Sequence, residues 1–401
     1  MKLTAVLQEA GQSLWLDSIS RELLASGRLR RYIEGLSVTG LTSNPTIFDH
    51  PIEHSSDYDD DIRAGVEAGL SPEEIFFALA LADLTGAAEL FAPAHQASGG
   101  SDGWVSLEVS PRLAHDAAST VAEATALYHR ARVNNLFIKI PGTEEGAAAI
   151  EESIAAGIPI NVTLLFSPEH YQRAADAYLR GIGRRIEAGQ DPVVGSVASL
   201  FVSRWDTAVA DQVDPALRDR LGIAVATKTY QRYRELLASP RWQQLAAAGA
   251  RPQKLLFAST STKDPEAPDT LYVSALAAPD TINTMPEKTL EAFADHGEVG
   301  ELLPADGGDA DDILAQFDRP GSRSPRWPRS CKTMVSRPST GPGTACWPPW
   351  NAPSADWEAL DDQRTIGKPA YGGDQPPGAA RLAGAGPPRR RAAGHDLAHA
   401  V

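Results

Sequence analysis

Cysteine is almost missing from this chain of 401 residues, which holds two, Cys331 and Cys346, 15 residues apart in a proline-rich stretch. Two are too few for a disulfide framework or a cysteine-ligated zinc site. No apolar run approaches the ~20 residues of a membrane span. The segment from Met1 to Glu9 has neither the apolar core nor the cleavage pattern of an export signal. A cytoplasmic protein without a membrane partner is the expectation. Positive charge is short too: the formal net charge of −15 argues against nucleic acid as a partner. What the chain does have is 42% hydrophobic residues over this length, enough to bury a large core.

Within that composition one residue stands out. Lys139 sits in the run Asn135-Leu136-Phe137-Ile138-Lys139-Ile140-Pro141-Gly142-Thr143, so an amine lies near the end of an apolar, strand-like segment that Pro-Gly terminates. A free lysine has a pKa near ~10.4, which leaves about one amine in a thousand neutral near pH 7. Burial penalises the cation and favours the nucleophilic amine, the form that attacks a ketone. A strand-end lysine can equally snorkel its ammonium to solvent. Lys139 alone leaves both readings open.

Other segments repeat the pattern of an apolar run with a polar tip. Leu14-Trp15-Leu16-Asp17-Ser18 ends in an acid, and Gly40 through Thr46 ends in small hydrogen-bonding groups. Trp104 to Val109 carries Glu108, and Ile158 to Leu165 alternates Asn161 and Thr163 with apolar residues. Val193 to Ser199 leads to Arg204, and Lys254 to Ser259 runs into Lys263. Helix-like segments separate them. Strand, polar tip and helix, repeated from about residue 12 to residue 285, predict an α/β fold, a single (β/α)8 TIM barrel whose site gathers at the carboxyl ends of its strands.

Six ordered motifs give the pattern a family likeness: Leu16-Asp17-Ser18, Thr42-Ser43-Asn44-Pro45-Thr46-Ile47-Phe48, Val105-Ser106-Leu107-Glu108-Val109-Ser110-Pro111, Ile138-Lys139-Ile140-Pro141-Gly142-Thr143, Asn161-Val162-Thr163-Leu164-Leu165-Phe166-Ser167, and Ser199-Leu200-Phe201-Val202-Ser203-Arg204-Trp205-Asp206. Each is weak alone; together, in order and at predicted strand ends, they are specific. Over residues 1–318 the chain resembles the transaldolases of the longer bacterial type. The resemblance implies transfer of a dihydroxyacetone unit from sedoheptulose 7-phosphate to glyceraldehyde 3-phosphate, giving erythrose 4-phosphate and fructose 6-phosphate, in the non-oxidative pentose phosphate pathway. It implies no metal and no organic cofactor.

The same resemblance implies the site roles. Lys139 forms the imine with the ketose C2 carbonyl, and Asp17 is the acid/base of carbon–carbon cleavage. Glu108 and Thr163 hold a water for proton transfers. Asn44, Asn161 and Ser199 hydrogen-bond sugar hydroxyls and intermediates, and Arg204 binds the sugar phosphate through its planar fork of donors. Lys263 stands where shorter members place a second phosphate-binding arginine. Taken singly, several of these residues have plainer readings. Asp17 suits a cap for the next helix, Asn44-Pro45 a turn, and Arg204 a salt bridge with Asp206. Glu108, between Leu107 and Val109 on a buried strand, needs a partner in any case.

The composition changes near Asp318. Residues 319–401 hold 12 Lys and Arg against 6 Asp and Glu, a balance of +6, so residues 1–318 carry −21. The same tail holds 13 of 30 prolines and four of eight tryptophans, without helical or strand period, and reads as a disordered Pro/Gly/Arg-rich segment. A sharper hypothesis is a one-base slip near residues 318–321. Members of the resembled family end in a helix patterned Asp-Gly-Val-x-x-Phe-x-x-x-Trp-x-x-Leu. Read one base earlier, the codons implied by Lys332 to Ala352 are compatible with Asp-Asp-Gly-Val-Ala-Ala-Phe-Asp-Arg-Ala-Trp-His-Gly-Met-Leu-Ala-Ala-Met-Glu-Arg, which carries that pattern. On that reading the barrel lacks its usual last helix. The sequence leaves open a monomer or a homodimer. Two rival functions also stand: a Schiff-base aldolase acting on small aldehydes, and a barrel or pseudogene product without catalysis.

Overall fold

The computed structural model describes residues 2–211 and 213–317; the expectations for residues 319–401 lie outside them. Eight parallel strands close a barrel in chain order: β1 (Gln12–Asp17), β2 (Val38–Thr42), β3 (Val105–Glu108), β4 (Leu136–Pro141), β5 (Ile160–Leu165), β6 (Ser196–Phe201), β7 (Lys254–Ala258) and β8 (Thr281–Met285), with β8 pairing back to β1. Helices cover the outside, as the repeat of strand and helix predicts.

Local chemistry sets the strand-to-helix junctions. Asn44 accepts the Ile47 N–H at 3.1 Å, and Ser167 accepts the His170 N–H at 3.3 Å, each just before a proline that opens a helix. Thr143 caps the helix after β4 through the Gly146 N–H at 2.9 Å. Side-chain oxygen at the cap and proline in the first turn are the expected start signals. They stop each strand with its last inward side chain at the barrel mouth.

Two expectations need correction. The run Val193 to Ser199 is only partly strand: β6 begins at Ser196, because the Val193 N–H is taken by the Asp191 side chain at 2.9 Å. Second, helix Pro72–Ala97, with 26 residues, is long and apolar enough to cross a membrane, although the sequence reading found no such run. Its apolar face, including Phe77, Leu84 and Phe91, is buried in the barrel's main core. The same helix buries Asp83, which accepts from Tyr58 Oη at 2.8 Å and Arg21 Nε at 3.2 Å.

Inside the barrel, alternate residues form two layers of opposite character. The lower is an apolar plug of Trp15, Trp104, Phe137, Val197, Leu256 and Ile282. Trp104 and Phe137 stack with centroids 4.1 Å apart, and Phe137 and Trp15 at 6.2 Å. Two residues further along the strands stand Asp17, Lys139, Ser199 and Thr284. The period of two makes this split unavoidable once the plug residues face inward.

Gly40 leaves room for the plug: a Cβ there would lie 2.5 Å from Trp15 Cε2. Gly40→Ala should therefore cost about 1–3 kcal/mol through overpacking, read as a lower thermal midpoint. A midpoint equal to that of the parent would contradict the close fit.

Candidate active site

Register brings the polar layer together. Lys139 pairs with Glu108 across β4–β3 and with Asn161 across β4–β5, while Asp17 pairs with Thr42 across β1–β2. Residues far apart in sequence thus become neighbours through the ladder.

Lys139 is 4% exposed, and its Nζ lies 3.0 Å from Glu108 Oε2 and 3.0 Å from the Ser43 carbonyl oxygen, to which it donates. It does not snorkel. Glu108, 6% exposed, has the partner its burial demands. Transfer of a proton from Lys139 to Glu108 across this contact would leave a neutral, nucleophilic amine beside a carboxylic acid that can return the proton.

Asp17 does not cap the next helix; Ser20 does, accepting the Leu23 N–H at 3.1 Å. Asp17 Oδ1 instead accepts from Thr42 Oγ1 at 2.6 Å. Packed round by protein although open at the barrel mouth, its carboxyl is raised above the ordinary range, burial being the first cause. The Thr42 hydrogen bond and the Lys139 charge act against that rise. A raised carboxyl can hold a proton and return it, as an acid/base must.

Thr163 stands two register positions beyond Lys139, opposite Pro141, with its hydroxyl buried and without a protein hydrogen bond among the described residues. Such an orphan suits a water or a substrate group. The next residue, Leu164, has φ of +60°, left-handed backbone unusual for a leucine, and the β5–β6 ladder shifts register there. This local strain lies at the strand end that carries Thr163.

Asn161 and Ser199 meet across β5 and β6. Ser199 Oγ donates to Asn161 Oδ1 at 2.7 Å, while Asn161 Nδ2 donates to Ser106 Oγ at 3.1 Å. Asn44 has its oxygen in the helix cap, which realises the plainer reading and leaves its amide N–H groups for a ligand. Arg204 opens the helix after β6 and lies over the Phe201 ring, 5.0 Å from its centroid. Asp206 accepts instead from Tyr272 Oη at 2.8 Å, Leu221 N at 2.9 Å and Gly222 N at 3.1 Å. Lys263 is exposed on the loop after β7, its Nζ donating to Ser261 Oγ at 2.8 Å.

Sequence reasoning assigned no role to Thr42, to the Ser43 carbonyl or to Thr284. Thr42 and Ser43 lay within a quoted motif, but only the fold shows that they face Asp17 and Lys139. Thr284 sits on β8, whose sequence Thr-Ile-Asn-Thr-Met marks no residue as special.

The family model described as transaldolase/fructose-6-phosphate aldolase matches residues 14–324. A transaldolase of Frankia alni is 48% identical over 318 residues, covering 77% of this chain and 86% of its relative. One from Acidothermus cellulolyticus is 49% identical over 302 residues, covering 74% and 81%. A protein named transaldolase 2 from a Nostoc species is 41% identical over 331 residues, covering 78% and 87%.

Asp206 gives a pH test of the site's frame. Burial pushes its carboxyl from 3.8 up to about 6, against the three hydrogen bonds it accepts. A carboxyl raised on folding binds its proton more tightly in the folded state, so its contribution is most favourable below the unfolded pKa and declines as pH rises through about 6. Asp206→Asn should flatten the dependence of unfolding free energy on pH between these values, measured by urea titration. An unchanged slope would show that Asp206 is not the group responsible.

Proposed function

The chain belongs to the transaldolase/fructose-6-phosphate aldolase family and is a transaldolase, a transferase acting on sugar phosphates; on that premise we propose how its residues divide the reaction. The observation that carries the proposal is Lys139 Nζ, buried and 3.0 Å from the Glu108 carboxylate in the polar layer that also holds Asp17.

Glu108 takes a proton from Lys139, and the freed amine attacks C2 of the donor ketose, sedoheptulose 7-phosphate or fructose 6-phosphate. The resulting carbinolamine loses its hydroxyl as water, with the proton supplied from Glu108 through a water at Thr163. The protonated imine is the electron sink. Asp17 removes the proton of the C4 hydroxyl, the C3–C4 bond breaks, its electron pair forms the enamine on Lys139, and the aldose leaves with its new carbonyl. The enamine then attacks the acceptor aldehyde while Asp17 returns a proton to the forming alkoxide. Hydrolysis of the new imine restores Lys139. Asn44, Asn161 and Ser199 orient sugar hydroxyls, and Arg204 binds the phosphate, with Lys263 as a second cation at the mouth. In an acidic protein such local cations are needed to attract a phosphate. We place the enzyme in the cytoplasm, with sugar phosphates as its substrates.

We also propose that residues 1–318 form the barrel without its usual last helix and that residues 319–401 are translated out of frame. The family match ending at residue 324 supports this. All proposed catalytic residues precede the break. Sequencing the gene across Asp318 tests it, and an intact frame shared with related genes would overturn it.

Borohydride reduction in the presence of fructose 6-phosphate should leave a three-carbon adduct on Lys139, mapped by mass, and Lys139→Ala should abolish it. Transfer activity unchanged in that variant would refute the imine mechanism. Glu108→Gln should slow imine formation by about a hundredfold or more, the scale of general acid/base catalysis, and a normal rate would remove Glu108 from that role. Asp17→Asn should trap a six-carbon adduct, because the imine forms and cleavage stalls.

A further inference from the structure

Thr42 Oγ1 makes two short contacts, 2.6 Å to Asp17 Oδ1 and 2.7 Å to Thr284 Oγ1. Thr42 and Thr284 are both buried, at 3% and 2% exposure. A hydroxyl has one hydrogen, and an ionised carboxylate only accepts. With Asp17 ionised, Thr42 spends its hydrogen on Asp17, so Thr284 must donate to Thr42. When Asp17 carries the proton on Oδ1, all directions reverse: Asp17 donates to Thr42, and Thr42 donates to Thr284. Both states keep every contact without moving a heavy atom.

Resting on the reading of Asp17 as the acid/base, we propose that Thr284 is a positioning residue whose hydroxyl, acting through Thr42, forms a reversible relay matching Asp17 in each protonation state. The relay occupies Oδ1 and leaves Oδ2 for the substrate. Thr42 reaches Asp17 from β2, Thr284 closes the relay from β8, and Lys139 on β4 is the charged group acting on Asp17. Thr284 touches no reacting atom, so its effect must pass through Thr42.

The test is a double-mutant cycle on the full chain with fructose 6-phosphate and an aldose phosphate acceptor. Thr284→Val, which keeps the shape and removes the donor, should lower kcat about fivefold, the size of one ordinary hydrogen bond, with KM little changed. Its acidic pH limb should move from the wild-type position, because the hydroxyl that completes the hydrogen bonding of Thr42 in both states of Asp17 has been removed. Thr284→Ser should restore both. Thr42→Val should have the larger effect, and adding Thr284→Val to it should change nothing further. Additive losses in the double variant, or equal impairment by Val and Ser at position 284, would overturn the relay, as would a wild-type kcat and pH limb in a folded Thr284→Val enzyme. The adduct trapped in Asp17→Asn tests the underlying reading separately. A three-carbon adduct there removes Asp17 from cleavage and the relay with it. A six-carbon adduct beside an unresponsive Thr284→Val condemns the relay alone.

Discussion

The buried pair of Lys139 and Glu108 is the constraint around which this barrel is organised. Two opposite charges, each about one-twentieth exposed, sit side by side because β3 and β4 pair Glu108 with Lys139 in register. Removing either partner would leave the other charge in a poorly hydrated site, a costly state. A pair held this way is more useful to chemistry than to stability. A proton can pass between acid and amine over one hydrogen bond, and the Ser43 carbonyl, just past the end of β2, holds the amine on a second side.

Beneath the pair, the aromatic plug fixes where the polar layer begins. Trp15, Phe137 and Trp104 fill the lower barrel, so the residues two positions later on their strands, Asp17, Lys139 and Ser106, must point into the layer above. One residue of register slip would send each of these polar groups outward against the helices. Packing below and chemistry above are thus specified by the same alternation. The strained Leu164 and the capped strand ends then adjust individual side chains within a layer whose height is already set.

Much of this was legible in the sequence because each strand announced itself as an apolar run with a polar tip. Lys139, Glu108, Asp17, Asn161 and Ser199 were each picked out, and the fold brings them to one end of the barrel interior. The ladder start of β6 was missed because a side-chain hydrogen bond from Asp191 overrides the apolar character of Val193 and Val194. Helix Pro72–Ala97 was undervalued because scattered charges, Asp83 among them, interrupt its apolar sequence without interrupting its buried face. The contact between Thr42 and Thr284, separated by 242 positions, exists only because the barrel closes β8 on β1. No local pattern encodes such a closure.

That closure also separates chemistry from cover. By Met285 all eight strands are in place, and every residue proposed to touch the reacting carbons lies on β1, β3, β4 or β5. Later segments add packing: helix Ala310–Phe317 sets Ile313 and Phe317 against Leu221 and Val225 beside the helix that carries Trp205. The lysine–carboxylate pair is held by strands and by the plug, interactions complete before the composition changes. Under the frame-shift proposal the centre would therefore stay intact, since the strands and plug that hold it lie in a different stretch of sequence from any cover added after residue 317.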